Sequence, residues 1–246
     1  MTKHCFIVTS AVNTEWGLYN NETRFKQTIE TLDSIHKYAP GSTIVIMECA
    51  AIPLTEWQSH VLTSKSNLIL DWTSHETVQE INRHSKDESI LKNFTEISCF
   101  PSTVEHCLNS DLLNDVDRVH KISGRYKLNE NFNLDLYENN EKIVIGPKRP
   151  SRLPLISASV EYEYPCRLWS WPKSMTADII AMYREILPFL IKHRERKYIS
   201  ESGEELQAYM DLEHLLYKFL DPNILQSVPT LGLQGNLSWT GEDIND

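Results

Sequence analysis

The chain has no apolar run approaching the ~18 residues that a membrane span requires. Its start, Met1-Thr2-Lys3-His4, leads into only a short apolar stretch. No transmembrane segment and no signal peptide are therefore expected, and the expected setting is soluble and cytoplasmic. A basic excess is also lacking. Lys and Arg number 24 against 34 Asp and Glu, a formal charge of −10, so no general phosphate-recruiting surface and no nucleic-acid partner are expected. The cysteines Cys5, Cys49, Cys99, Cys107 and Cys166 form no C-x-x-C pair. Scattered thiols suit a reducing compartment, and Cys5 and Cys49 lie in apolar, strand-like runs where core packing accounts for them.

Several enzyme signatures are missing. Without G-x-x-x-x-G-K-[ST] or G-x-G-x-x-G, P-loop and dinucleotide-binding readings have no support. Ser123 in Ile122-Ser123-Gly124-Arg125 lacks the Gly two residues earlier that a nucleophile elbow needs. The histidines make no H-x-x-x-H or H-E-x-x-H pair, so the spacing supplies no metal ligands. Repeats and an interdomain linker are absent too, and 246 residues suffice for one domain spanning 1–246.

What is present alternates. Cys5-Phe6-Ile7-Val8-Thr9 and Thr43-Ile44-Val45-Ile46-Met47 read as strands buried on both faces, and Leu68-Ile69-Leu70-Asp71 as a third. Helical spacing covers 22–38, stopped by Pro40-Gly41, then 54–62 and 76–94. A further helix is expected over 97–113, opened by Pro101-Ser102, before a strand over 118–122. Beyond it, 142–146 reads as a strand, and 157–164 alternates into Cys166-Arg167-Leu168-Trp169-Ser170-Trp171. Helices follow over 175–194, kinked or split at Pro188, and over 203–220, with an extended tail over 229–239. The fold class is α/β, a mixed, mainly parallel sheet flanked by helices, with strand tips 9, 48 and 124 on one cleft.

The most informative stretch is Lys121-Ile122-Ser123-Gly124-Arg125-Tyr126, a buried strand that breaks at Ser123-Gly124 and presents Arg125. Its plain alternative is a strand, a turn and a solvated Arg. Five other segments accompany it: Thr9-Ser10, Glu22-Thr23-Arg24, Ile46-Met47-Glu48-Cys49, Tyr164-Pro165-Cys166-Arg167-Leu168-Trp169-Ser170 and Glu213-His214-Leu215-Leu216-Tyr217. With Leu231-Gly232-Leu233-Gln234-Gly235-Asn236 closing the series, their order resembles a divergent branch of the GT-A-type nucleotide-sugar glycosyltransferases. In that branch the usual Asp-x-Asp metal motif is missing from the central strand. Asp115-Val116-Asp117 fits the letters but precedes the strand, and reads as a solvated turn.

The resemblance implies a transferase of glycan biosynthesis. It would move sugar from a nucleotide-sugar donor to a glycan or other hydroxyl acceptor, or be a non-catalytic descendant that only binds such ligands. Thr9, Ser10, Arg24, Ser123, Gly124 and Arg125 would face the donor, and Arg167, Trp169 and Trp171 the acceptor. The cofactor stays unknown: a divalent metal is compatible, but no Asp-x-Asp marks the expected tip. Arg125, and Arg24 at a helix start, could supply the positive charge instead, with Lys121 and Lys127 adding potential nearby. Glu213 and His214 are candidates for base and orienter, although neighbours on a helix point roughly 100° apart. Glu48 and Asp71 are alternative carboxylates, and Glu48 could instead contact the nucleotide. The aromatic group Tyr162, Tyr164, Trp169 and Trp171 could stack on sugar or pack against the next helix.

Overall fold

The computed structural model describes residues 2–153, 155–236 and 241–245. From the N-terminus come β1 (His4–Ser10), α1 (Asn21–Tyr38), β2 (Thr43–Glu48), α2 (Glu56–Thr63), β3 (Leu68–Asp71), α3 (Glu76–His84) and α4 (Glu88–Asn109). Next are β4 (Arg118–Ser123), β5 (Tyr126–Leu128), β6 (Ile143–Ile145), β7 (Arg149–Pro150), β8 (Tyr162–Glu163), β9 (Leu168–Pro172) and α5 (Thr176–Arg194). The chain closes with β10 (Lys197–Ile199), β11 (Glu205–Gln207), α6 (Leu212–Phe219), β12 (Leu225–Ser227), β13 (Leu233–Asn236) and β14 (Asp243–Asn245).

Seven strands form the main sheet in the order β12-β6-β9-β4-β1-β2-β3. Every neighbouring pair is parallel except where β9 runs against β4 and β6. The expected class, a mixed and mainly parallel α/β sheet flanked by helices, is the one present. Ser10 pairs with Glu48, and Thr9 with Ser123, so the expected tips share one edge.

Strand periodicity divides the core between the two faces. Cys5 and Ile7 of β1 join Val45, Met47, Trp169 and Trp171 on the face covered by α4 and α5. Phe6 and Val8 join Ile44, Ile46 and Leu168 on the face covered by α1. Each such aliphatic or aromatic side chain, once fully buried, contributes about 1.5–3 kcal/mol of transfer free energy.

Three segments differ from the sequence-based expectation. Instead of one helix ending near residue 94 and another over 97–113, a single helix runs over Glu88–Asn109 with Pro101 inside it. The break falls earlier, where Ser85 is extended and its hydroxyl accepts the Asp87 amide. Packing of α4 on the sheet and on α5 outweighs the amide that Pro101 removes. The region 203–211 is not helical. Gly203, at φ +82°, turns the β10–β11 hairpin, and α6 starts only at its Asp211 cap. Residues 157–161 form no strand, since Ala158 and Ser159 take positive φ. Pro188 lies within a continuous α5, and of the expected extended tail, residues 237–239 fall outside the described residues.

Arg118 ties the edge opposite the strand tips. It is fully buried, and Nε donates to Ser170 Oγ at 2.9 Å. Nη1 and Nη2 donate to the carbonyls of Asn139 and Lys142, each at 2.6 Å. Of these acceptors Ser170 Oγ is fully buried and loses its donor if Arg118 is replaced, whereas Asn139 is exposed and Lys142 half-buried. Arg118→Met should therefore lower unfolding free energy by about 1–3 kcal/mol, read from urea denaturation, with secondary structure retained at low denaturant.

Candidate binding cleft

The cleft lies along the carboxyl ends of β2, β1 and β4, where parallel strands hand over to loops. One cavity is lined by Thr9, Ser10, Arg24, Ser123, Gly124 and Arg125 together with the loop after β1, including Thr14 and Trp16. A second is lined by Arg167, Glu163, Asp211, Glu213 and His214. Lys92, Glu96, Ser123 and Arg125 belong to both, and so form the throat between them.

Local sequence explains most of this wall. Asn20 caps α1 by accepting the Thr23 amide at 2.8 Å, which places Arg24 in the first turn of a helix whose N-terminus faces the cleft. Arg24 is buried, with Nε donating to the Tyr19 carbonyl at 3.4 Å. The loop after β1 is pinned by Asn13, which exchanges amide hydrogen bonds with Gln58 at 2.8 and 3.0 Å. Gly124 is needed for close approach: its amide donates to the Thr9 carbonyl at 2.8 Å, and a Cβ there would lie 3.2 Å from that oxygen.

Under the throat sits a buried ion pair. Lys121 Nζ lies 2.7 Å from Glu96 Oε1 and donates to Ser123 Oγ and the Cys166 carbonyl, both at 2.9 Å. Burial opposes its charge, but the Glu96 carboxylate more than offsets this and holds Lys121 above the ordinary ammonium value. Its charge is thus spent on Glu96 and unavailable as the free potential expected beside Arg125. Lys127 is likewise engaged, 3.4 Å from Glu30. The unexpected cation is Lys92, one helical turn before Glu96. The cleft walls crowding it, and next the Arg125 guanidinium, lower its pKa although the side chain keeps contact with solvent.

Arg125 is half-buried, and its Nη1 is buried without a hydrogen-bond partner among the described residues. Its guanidinium carbon lies 5.8 Å from the Tyr126 ring centroid, and that of Arg167 lies 5.5 Å from the same ring. The tyrosine thereby spaces two cations along the wall.

Not every expected residue reaches the cleft. Trp169 and Trp171 are fully buried and cannot stack on a sugar, because two residues apart on β9 they face the same core. Tyr162 and Tyr164 gather around Tyr217 instead, at 5.6 and 5.5 Å, outside both cavities. Asp71 is exposed and accepts from the Thr73 amide and hydroxyl. His214 is buried, bound through Nδ1 to Asp211 Oδ1 at 2.6 Å. Glu213 reaches the second cavity but faces Arg149 at 3.2 Å and Arg152 at 3.6 Å. Asp115 and Asp117 are exposed at the amino end of β4, away from the strand tips.

Lys92, Glu96, Glu163 and Asp211 lie outside the expected set. The i, i+4 spacing of Lys92 and Glu96 places both on one helix face, a signal the sequence did carry. The other two come from segments whose proximity only the tertiary fold creates.

No family model matches the chain, and no curated protein matches it. Among solved structures it is similar to the 4-diphosphocytidyl-2C-methyl-D-erythritol synthase of Anaerococcus prevotii. The two are 12% identical over 93% of this chain and 87% of that one, with a TM-score of 0.41.

Glu48 is fully enclosed behind the cleft and lines neither cavity. Its Oε1 accepts the amides of Val12 at 3.0 Å and Ala50 at 3.1 Å, joining the loops that leave β1 and β2. Burial pushes its pKa from 4.5 up to about 7, against the opposing pull of the Ser10 hydroxyl and the two amides. The folded chain therefore holds this proton across a window in which the unfolded chain has released it. This contribution to stability is complete below about pH 4.5 and is lost as pH rises to about 7. The loss should be on the order of 3 kcal/mol. Glu48→Gln should flatten that part of the stability–pH curve, measured by urea unfolding at a series of pH values.

Proposed function

We propose that residues 1–246 form one GT-A-like domain that binds a nucleotide-sugar donor and transfers its sugar to a glycan or other hydroxyl acceptor. One observation carries this reading: Arg125 Nη1, buried and without a hydrogen-bond partner among the described residues, faces a throat that joins two cavities at the tips of parallel strands. The cavity bearing Trp16 and the N-terminus of α1 would take the nucleotide. The donor's diphosphate would lie across the throat under Arg125 and Lys92, with Arg24 behind it, and the sugar and acceptor would enter the second cavity.

The chemistry asked of these groups is charge neutralisation. Departure of a nucleoside diphosphate leaves negative charge, and a guanidinium fork meets phosphate oxygens in a bidentate way. The divalent metal associated with Asp-x-Asp enzymes does not fit here. The tip of β4 holds Ser123, Gly124 and Arg125, with no carboxylate pair and a fixed cation in its place. Glu213, at the wall of the second cavity, is the proposed base for the acceptor hydroxyl, oriented by Arg149 and Arg152 rather than by His214. Free thiols at all five cysteines among the described residues support a reducing, cytoplasmic setting.

Arg125→Ala should weaken nucleotide-sugar binding by about ten- to a hundredfold in calorimetry, with little change in melting temperature. Arg125→Lys should recover only part of this loss. Unchanged affinity in Arg125→Ala would place the diphosphate elsewhere. Donor binding without hydrolysis or transfer, across a panel of acceptors, would instead indicate a non-catalytic binding module.

A further inference from the structure

The wall of the second cavity holds a cluster that diphosphate binding does not use. Glu163 on β8, Asp211 at the cap of α6 and His214 one turn on bring a donor atom each within 4.8 Å of the others. Glu163 is fully buried, and Arg149 Nε holds its Oε1 at 2.6 Å while Arg152 Nη2 lies 3.4 Å from it. Its other oxygen, Oε2, is buried with no hydrogen-bond partner among the described residues and lies 3.4 Å from His214 Nε2.

That separation is long for a hydrogen bond between nitrogen and carboxylate oxygen. It matches the edge of a tetrahedral zinc site, where bonds of about 2.0–2.1 Å set neighbouring ligands about 3.3–3.4 Å apart. The imidazole is also held as a ligand needs to be: Asp211 Oδ1 receives Nδ1–H at 2.6 Å, which leaves Nε2 turned toward Glu163. Asp211 itself is fixed by accepting the His214 amide at 3.1 Å.

We propose that Glu163 and His214 bind a zinc ion through Oε2 and Nε2, with Asp211 orienting the imidazole and the remaining positions open to the second cavity. Mixed imidazole and carboxylate donors suit zinc, whereas calcium and magnesium favour all-oxygen sets. Ser151 Oγ, 2.7 Å from Nε2, contacts the same nitrogen and still accepts the Leu153 amide at 3.1 Å, so its hydroxyl can yield as zinc enters.

The test is zinc titration of the chelator-treated full chain by calorimetry, with cobalt absorption as an independent readout. One equivalent should bind, and the cobalt spectrum should be that of a tetrahedral nitrogen–oxygen site without a thiolate charge-transfer band. Glu163→Gln, which keeps shape and removes the ligand charge, should weaken zinc binding at least about tenfold. Ser151→Ala should bind zinc as well as the parent or better. No zinc uptake by the parent chain, a thiolate band, or unchanged affinity in Glu163→Gln would overturn the proposal. The parent chain alone decides the first two outcomes if the variant fails to fold. The proposal does not rest on the glycosyltransferase reading: the Arg125 measurements stand without zinc, and zinc uptake stands without donor binding.

Discussion

The ion pair of Lys121 with Glu96 is the contact on which the cleft depends. It joins the central strand β4, the long helix α4 and, through the Cys166 carbonyl, the approach to β9. A lone ammonium at that depth would be costly, as would a lone carboxylate, so each fixes the other. Since Glu96 lines both cavities and Lys92 stands one turn earlier, the same contact sets how far α4 leans over the strand tips. The width of the throat thus follows from a charge balance made beneath it.

Above that foundation the two cavities differ in how they are built. The first is made largely of local features: the ends of β1, β2 and β4, the cap of α1 and the loop pinned by Asn13 and Glu48. The second is assembled from β8, the approach to β9, α4 and the start of α6, held by ion pairs among Arg149, Arg152, Glu163 and Glu213. A cavity walled by strand tips keeps its shape with the sheet. One walled by ion pairs responds to the charge of what enters it.

The sequence was most readable where hydrophobic pattern and chain direction carry the information. Strands β1 to β4 and helix α1 were evident because continuous apolar runs and 3.6-residue spacing have few alternatives. Thr9, Ser10, Ser123, Gly124 and Arg125 line one cavity because parallel strands place their carboxyl tips together, and Arg24 joins them from the first turn of α1. Reading failed where tertiary context prevails. Trp169 and Trp171 have the composition of a sugar platform, yet their strand face turns inward. Glu48 stands at a strand tip but is consumed by two backbone amides. Glu163 and Asp211, 48 positions apart in the chain, gave no local sign that one histidine would bring them together.

The reversal of β9 has a consequence for how this molecule could vary. Parallel β6 leaves the sheet at the cleft edge, and antiparallel β9 re-enters it at that same edge. The intervening residues 146–167 therefore make a closed excursion from one rim, with both ends anchored in neighbouring strands. Changes in that excursion short of Cys166 and Arg167, whose carbonyls hold Lys121 and Ser123, leave both anchoring strands in register. The side carrying Arg152, Glu163 and Arg167 can thus vary through a single loop, while the strand tips of β1 and β4 stay fixed.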